Sequence, residues 1–202
     1  MIRMENVTRR YGDNGVLEGF GLQVEKGEAV AVVGKSGCGK TTLLRILAGL
    51  DREYGGNVFL EGEPAERKAP WERNLAMVFQ EPALWNHMTV EENILFPLRR
   101  KARRTAGQTV AQICRELEID GLAARYPGEI SGGQAKRVSL ARALASGKEI
   151  LLLDEPLSNV DERTRGKVMD FLWREYVGRN TMVYVSHDRE EVTYLCSRVV
   201  EL

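Results

Sequence analysis

Four short runs in this chain are almost wholly apolar: Ala29–Val33 (AVAVV), Ala76–Phe79 (AMVF), Ile150–Leu153 (ILLL) and Thr181–Val185 (TMVYV). Short β-branched and aliphatic runs without polar alternation predict strands buried on both faces, as in a parallel sheet. Elsewhere the period lengthens. Leu43, Leu44, Ile46, Leu47 and Leu50 recur at helical spacing, and so do Val138, Leu140, Ala141, Leu144 and Ala145. Strands and turns alternate over residues 1 to about 80, buried strands and helices return over 148–202, and the stretch from Val90 to Ala145 is mostly helical. One α/β domain, 1–202, is therefore expected, with a core from 1–81 and 147–202 and a helical subdomain, 82–146, inserted into it.

The first apolar run leads into Gly34, Lys35, Ser36, Gly37, Cys38, Gly39, Lys40 and Thr41 (GKSGCGKT), which fill every fixed position of the phosphate-loop pattern GxxxxGK followed by Ser or Thr. Between a buried strand and a helix, loop N–H groups and the positive end of the helix dipole converge on one point that favours an anion. Gly34, Gly37 and Gly39 let the backbone close around phosphates. Lys40 is a point charge for the β/γ-phosphates, and the Thr41 hydroxyl is a ligand for Mg2+. A glycine-rich turn matching by accident is the bland alternative, and the flanking elements weigh against it.

The run Ile150–Leu153 leads into Asp154, Glu155 and Pro156. An acid ending such a strand can hold Mg2+, directly or through water, and the next carboxylate can polarise an attacking water. Taken alone, the same residues could cap a strand before a turn. A third segment, Ile130–Gln134 (ISGGQ), precedes the second helical run. Ser131 and Gln134 have capping-box spacing and could simply start that helix. Gly132 and Gly133 in its first turn cost roughly 1 kcal/mol each relative to alanine, which a plain cap does not require. They leave a serine hydroxyl and open backbone N–H groups at a helix N-terminus, a second place for phosphate.

On these residues the chain resembles the ATP-binding cassette (ABC) ATPases along essentially its whole length. GKSGCGKT, ISGGQ and ILLLDEP are similar to that family's Walker A, signature and Walker B motifs, in the family's order. Tyr11 resembles the aromatic residue that stacks on adenine, Gln80 in MVFQEPALW the Q-loop glutamine, and His187 in YVSHD the switch histidine. Ser158, Asn159, Val160 and Asp161 resemble the D-loop, usually SALD; Asn159, Val160 and Ile130 depart from the usual residues. Plain structural roles exist for the smaller matches. Tyr11 could be a strand-end aromatic, Gln80 a strand terminus with one backbone hydrogen bond, and His187 a histidine bonding a carbonyl ahead of a helix capped by Asp188 and Glu191.

The resemblance implies a P-loop NTPase core, a mixed sheet flanked by helices, with the inserted helical subdomain and an N-terminal antiparallel β portion. It implies ATP and Mg2+ as cofactors. Nucleotide is assigned to Tyr11, to Gly34 through Thr41 with Thr42, to Ser131, Gly132, Gly133 and Gln134, and to Asp161; metal to Thr41, Gln80 and Asp154. Glu155 is the implied base, with Lys40, His187 and Gln80 as its catalytic companions. Two subunits are implied to pair head to tail, each ATP lying between Lys40 of one and Ser131, Gly133 and Gln134 of the other. The contact with transmembrane permease subunits is implied around Glu81–Glu91, where Trp85, His87 and Met88 are candidates to meet a partner helix. A solute-binding protein would be an indirect partner.

Bulk properties limit the reading further. Formal net charge is zero, so no overall field draws the chain to nucleic acid. Cys38, Cys114 and Cys196 are odd in number and lack CxxC spacing, as expected of reduced cytosolic thiols rather than a disulfide framework or zinc site. MIRMENVTRR has no apolar stretch like a signal peptide, and no run is long enough to span a membrane. A cytoplasmic protein, peripheral on the cytoplasmic face of the inner membrane, is expected. The basic run Arg99, Arg100, Lys101, Arg103 and Arg104 reads as a solvated connection between helices, with lipid headgroups as the alternative. The sequence stops at Leu202 after a strand-like run, Arg198–Val200, and a regulatory domain is not expected to follow.

Three functional classes compete: the ATPase subunit of a membrane transporter, importer-like on the segment after Gln80; a soluble ABC ATPase acting on translation or DNA; and a nucleotide-binding regulator. Relatives of the second class usually carry two cassettes or a long coiled-coil insertion, which 202 residues do not accommodate. The third should have lost the base or a metal ligand, whereas Glu155, Asp154, Lys40 and Ser131 are all present.

Overall fold

A computed structural model describes residues 1–98 and 107–202; the basic run from Arg99 to Arg104 lies outside the described residues. In chain order its elements are β1 (Ile2–Tyr11), β2 (Asn14–Val24), β3 (Ala29–Val33), α1 (Lys40–Ala48), β4 (Gly55–Leu60), β5 (Glu63–Pro64), β6 (Leu75–Val78), α2 (Val90–Leu95), α3 (Gly107–Glu116), α4 (Gly132–Ala145), β7 (Ile150–Asp154), α5 (Glu162–Glu175), β8 (Thr181–Val185), α6 (Arg189–Leu195) and β9 (Arg198–Glu201). Met1–Met77, Glu149–Asp154 and Tyr176–Leu202 form one compact unit; Val78–Lys148 and Glu155–Glu175 form a second.

The first unit holds two sheets, so the expected mixture of strand pairings is divided between them. Strands β2, β1, β4 and β5 lie side by side, antiparallel at each pairing. Ile2 stands opposite Val24 and Leu60, and Met4 opposite Leu22 and Val58, all buried on one face. That alternation is what a sheet covered on one side requires. The second sheet runs β6, β7, β8, β3, β9, with β7–β8, β3–β8 and β3–β9 parallel. Every residue of β7 and β8 is buried, which explains why those runs show no polar alternation. Leu43, Leu44, Ile46 and Leu47 of α1 are fully buried in one core with residues of both sheets.

Arg73 closes the far end of α1. Arg73 is 3% exposed, and its guanidinium donates to the carbonyls of Ile46 (3.0 Å), Leu47 (2.6 Å) and Ala65 (2.9 Å). A cation at a helix C-terminus meets the negative pole of the dipole and satisfies carbonyls that lack intrahelical partners.

In the second unit α2 and α3 each pack on α4, and α3 also touches α5. That unit runs over Val78–Lys148 and takes in Glu155–Glu175, hence α5. Buried Asn93 fixes the segment before α2: its amide donates to the carbonyls of Trp85, Met88 and Thr89 and accepts from the Trp85 N–H. Among the described residues no helix is long and apolar enough to cross a membrane.

Candidate functional site

Strand β3 delivers the chain into the glycine-rich loop, and the parallel register sets what lies beside it. Val32 pairs with Val185, and Val185 with Asp154, so the C-terminal ends of β3, β8 and β7 fall in one row. In open parallel sheets that edge is where ligands bind. Gly39, at φ 108, caps α1 without any side-chain hydrogen bond to the helix. The first N–H groups of α1 are thus left for a ligand rather than capped by a side chain. An added Cβ on Gly39 would lie 2.8 Å from Val16 Cγ1 and 2.9 Å from the Val16 carbonyl, so the loop packs directly against β2. Lys40 Nζ donates to the carbonyls of Gly34 (2.8 Å) and Lys35 (2.9 Å) and contacts Cys38 Sγ at 3.7 Å. The ammonium is held at the centre of the loop. Lys35, Ser36 and Gly37 are exposed at its rim, and Thr42 is half-buried in the first turn of α1.

One residue further, the Thr41 hydroxyl donates to Asp154 Oδ2 at 2.8 Å, and Asp154 is 2% exposed. Among the described residues no cluster of three or more His, Cys, Asp or Glu is arranged for a metal ion. Mg2+ does not need one. It prefers hard oxygen ligands, retains waters, and is commonly held by one or two carboxylates together with substrate phosphates. A hydroxyl and a carboxylate oxygen side by side next to the phosphate loop fit that donor set.

At the end of β8 the sequence Ser186–His187–Asp188 is fixed from behind. Tyr184 and Ser186 hydroxyls both donate to Glu191 Oε2 at 2.8 Å, and the Asp188 N–H donates to Ser186 Oγ at 3.0 Å. Burial, reinforced by the Glu191 carboxylate, pushes the Tyr184 hydroxyl well above its ordinary pKa, so it stays a donor. Asp188 caps α6 by accepting from the N–H groups of Glu190 and Glu191, as its spacing predicts. Glu191 does not complete a capping box. Its carboxylate is spent on the two hydroxyls, while His187 is exposed between two anchored neighbours.

In the second unit Gln80 is exposed just after β6. Ser131 caps α4 and forms the capping box with Gln134, each side chain bonded to the other's N–H. The two glycines differ. An added Cβ on Gly133 would lie 2.5 Å from the Asn159 carbonyl, whereas one on Gly132 meets no atom of the described residues within 4 Å. Gly133 thus permits α4 to pack on the 158–161 loop, and Gly132 stays open. Asp161 caps α5 through Thr164 N–H at 3.0 Å, a bond that lowers the Asp161 pKa. Glu155 and Asn159 have left-handed backbones, φ 46 and 61. For residues other than glycine that conformation is uncommon and carries strain that surrounding bonds must sustain. The Glu155 carbonyl is held by Ser158 N–H (3.3 Å), Ser158 Oγ (3.1 Å) and the buried ammonium of Lys136 (3.0 Å). Nothing in the sequence pattern marks Lys136, because a lysine in a helix ordinarily reads as a solvated face.

Tyr11, at the end of β1, is 47% exposed. Its hydroxyl donates to Asp51 Oδ2 at 2.7 Å, and the Arg9 guanidinium lies over one face of its ring, 4.2 Å from the centroid. Trp85 is only half-buried, its ring 4.2 Å from that of Phe96 and 4.6 Å from the Arg142 guanidinium, while His87 is exposed and Met88 half-buried.

Residues 17–158 match the ABC transporter family. The chain is 42% identical over 208 residues to the sulfate/thiosulfate import ATP-binding protein CysA of Methylococcus capsulatus, covering all of this chain and 60% of that protein. It is 41% identical over 206 residues to CysA of Pseudomonas aeruginosa, covering 98% of this chain and 63% of that one. It thus spans about three fifths of the length of the curated relatives it matches. Among solved structures, the dimeric bacterial ABC transporter cassette MJ0796 superposes with a TM-score of 0.89 at 30% identity, covering 100% of this chain and 94% of that one. The same cassette in a post-hydrolysis state, dimeric and bound to ADP and Pi, gives 0.87 at 29% identity with the same coverage. With the family match running from β2 to the loop after β7, and relatives above 40% identity along almost the whole chain, this protein belongs to the ABC transporter family.

Proposed function

We propose that this chain is the ATP-hydrolysing subunit of an importer-type membrane transporter, acting as a head-to-tail pair on the cytoplasmic face of the membrane. The observation that supports the reading is the Thr41–Asp154 hydrogen bond beside a helix N-terminus without a side-chain cap, a hydroxyl and a carboxylate of the kind that Mg2+ beside a phosphate would use. Thr41, Asp154 and Gln80 would hold Mg2+. When bound, that ion neutralises developing charge on the phosphates. Lys40 and the loop N–H groups bind and orient the phosphates, His187 meets the γ-phosphate, and Glu155 takes the proton of the attacking water. Ser131, Gly132, Gly133 and Gln134 of the partner subunit would complete the same nucleotide site. A γ-phosphate bound from both sides supplies the differential affinity that closes the pair, and its loss on hydrolysis releases it.

Residues 82–146 are proposed as the helical subdomain that meets the permease, through the segment fixed by Asn93. The names of the curated relatives support import and make sulfate and thiosulfate the first solutes to test.

Light scattering of Glu155→Gln with and without Mg-ATP, beside phosphate release by the wild type, tests the reading. Dimerisation only with ATP, together with wild-type hydrolysis, is expected. ATP binding with neither dimer nor phosphate would sink it.

A further inference from the structure

The surroundings of Tyr11 are more ordered than a strand-end aromatic requires. Asp51 is 9% exposed and sits just past the end of α1. Its Oδ2 accepts from both the Tyr11 hydroxyl (2.7 Å) and Arg9 Nε (2.9 Å), and its Oδ1 accepts from the Glu53 N–H (3.2 Å). Arg9 is held in turn by Glu53 Oε2 (3.2 Å) and the Arg10 carbonyl (3.1 Å). The Arg9 side chain is 12% exposed, and the Asp51 side chain 8%. One carboxylate therefore fixes both the tip of the aromatic ring and the cation lying on its face. These residues line an open cleft of about 600 Å3 that also takes in Arg45, in the last turn of α1.

We propose that Arg9 and Asp51 are positioning residues for a nucleotide base: they lock the Tyr11 ring by its hydroxyl and by the guanidinium over one face, and the exposed part of the ring is left to stack on the base. The inference rests on the reading of Tyr11 as the stacking residue. Its physical content is preorganisation. An exposed tyrosine free to rotate must lose that freedom when a base stacks on it, whereas a ring held at hydroxyl and face has lost it already. The guanidinium also polarises the ring from behind.

Base binding and phosphate binding are separable with two probes that are not turned over, ADP and inorganic pyrophosphate, titrated by calorimetry. Stacking on an aromatic ring is worth roughly five- to a hundredfold in affinity. Tyr11→Ala is expected to weaken ADP within that range and leave pyrophosphate unchanged. Asp51→Asn and Arg9→Lys are each expected to weaken ADP about fivefold, again sparing pyrophosphate: the first trades the shared carboxylate for a neutral amide, the second the planar guanidinium on the ring for an ammonium, and both loosen the ring. In the Tyr11→Ala background Asp51→Asn should have no further effect, because the ring it positions is gone. Tyr11→Phe, which deletes only the hydroxyl, reads the same coupling should Asp51→Asn fold poorly, and is expected to weaken ADP about threefold.

ADP affinity unchanged in Asp51→Asn and Tyr11→Phe but lost in Tyr11→Ala would overturn the positioning role and leave stacking intact. Equal weakening of ADP and pyrophosphate by Asp51→Asn would overturn it too, placing its effect on the phosphate loop. Unchanged ADP binding in Tyr11→Ala would remove the stacking reading itself.

Discussion

The side-chain ammonium of Lys136 donates to the backbone carbonyl of Glu155 at 3.0 Å. Lys136 is 4% exposed and lies two residues after Gln134 on α4, so the helix that begins with the signature motif reaches the residue proposed as base. Glu155 needs that support because its φ of 46 is costly for a residue with a side chain.

Replacing Lys136 by Met should therefore act on chemistry more than on binding. A hydrogen bond from a charged donor is worth roughly 1.5–3 kcal/mol. Misplacing the Glu155 carboxylate should lower kcat of phosphate release at least about tenfold while KM for ATP stays within about twofold. Unchanged kcat would mean that the turn keeps its shape without Lys136.

The two signature glycines should separate. Gly133→Ala puts a methyl group where the Asn159 carbonyl lies, and overpacking of that kind costs about 1–3 kcal/mol. Gly132→Ala meets no such neighbour among the described residues, and alanine is favoured over glycine in a helix by about 1 kcal/mol. Urea unfolding is expected to show Gly133→Ala destabilised and Gly132→Ala as stable as the wild type or more so. Light scattering should show Gly132→Ala losing ATP-dependent dimerisation in the Glu155→Gln background.

Acid should loosen the Tyr11 network. Burial raises the Asp51 pKa, but hydrogen bonds from Tyr11, the Glu53 N–H and Arg9, with the Arg9 charge, outweigh it and hold the carboxyl below its ordinary value. A carboxyl lowered in the folded state adds stability above its unfolded pKa, about 3.9, and that stability is lost as pH falls through the folded value. Wild-type stability should therefore fall more steeply than that of Asp51→Asn as pH drops below about 4. Urea midpoints measured across that range check it; parallel curves would contradict it.

The thiols should differ in reactivity. Burial pushes Cys196 up to about 12, so at pH 8 only about one molecule in ten thousand carries the thiolate that reacts. Mass spectrometry after brief iodoacetamide treatment of the native protein should find Cys196 unmodified, and modified once urea is added. Labelling at equal rates in both conditions would contradict the burial.

What the sequence made legible was whatever local pattern determines. The runs that became β3, β7 and β8 are buried on both faces and so show no alternation, and Ser131 and Asp188 are caps because their helices follow within three residues. Lys40, Thr41 and Asp154, singled out by motif, make contacts that lie beside their own strands and helix. Lys136, Asp51 and Arg9 were not legible, because charged residues are ordinarily solvated and only long-range packing buries these three. Long-range packing also decides where α5 belongs: it touches α3 and falls in the second unit.

Arg73 bears on how far the phosphate loop can be moved as a part. The last carbonyls of α1 are closed by a guanidinium that arrives from beyond β5. A strand, loop and helix transplanted as Ala29–Gly49 would carry open acceptors into whatever scaffold received it. A circular permutation opened between Gly49 and Arg73 would leave that lock dependent on association rather than on connectivity. The smallest segment that brings its own lock runs from β3 through Arg73, and its binding strength for phosphate should be judged at that length.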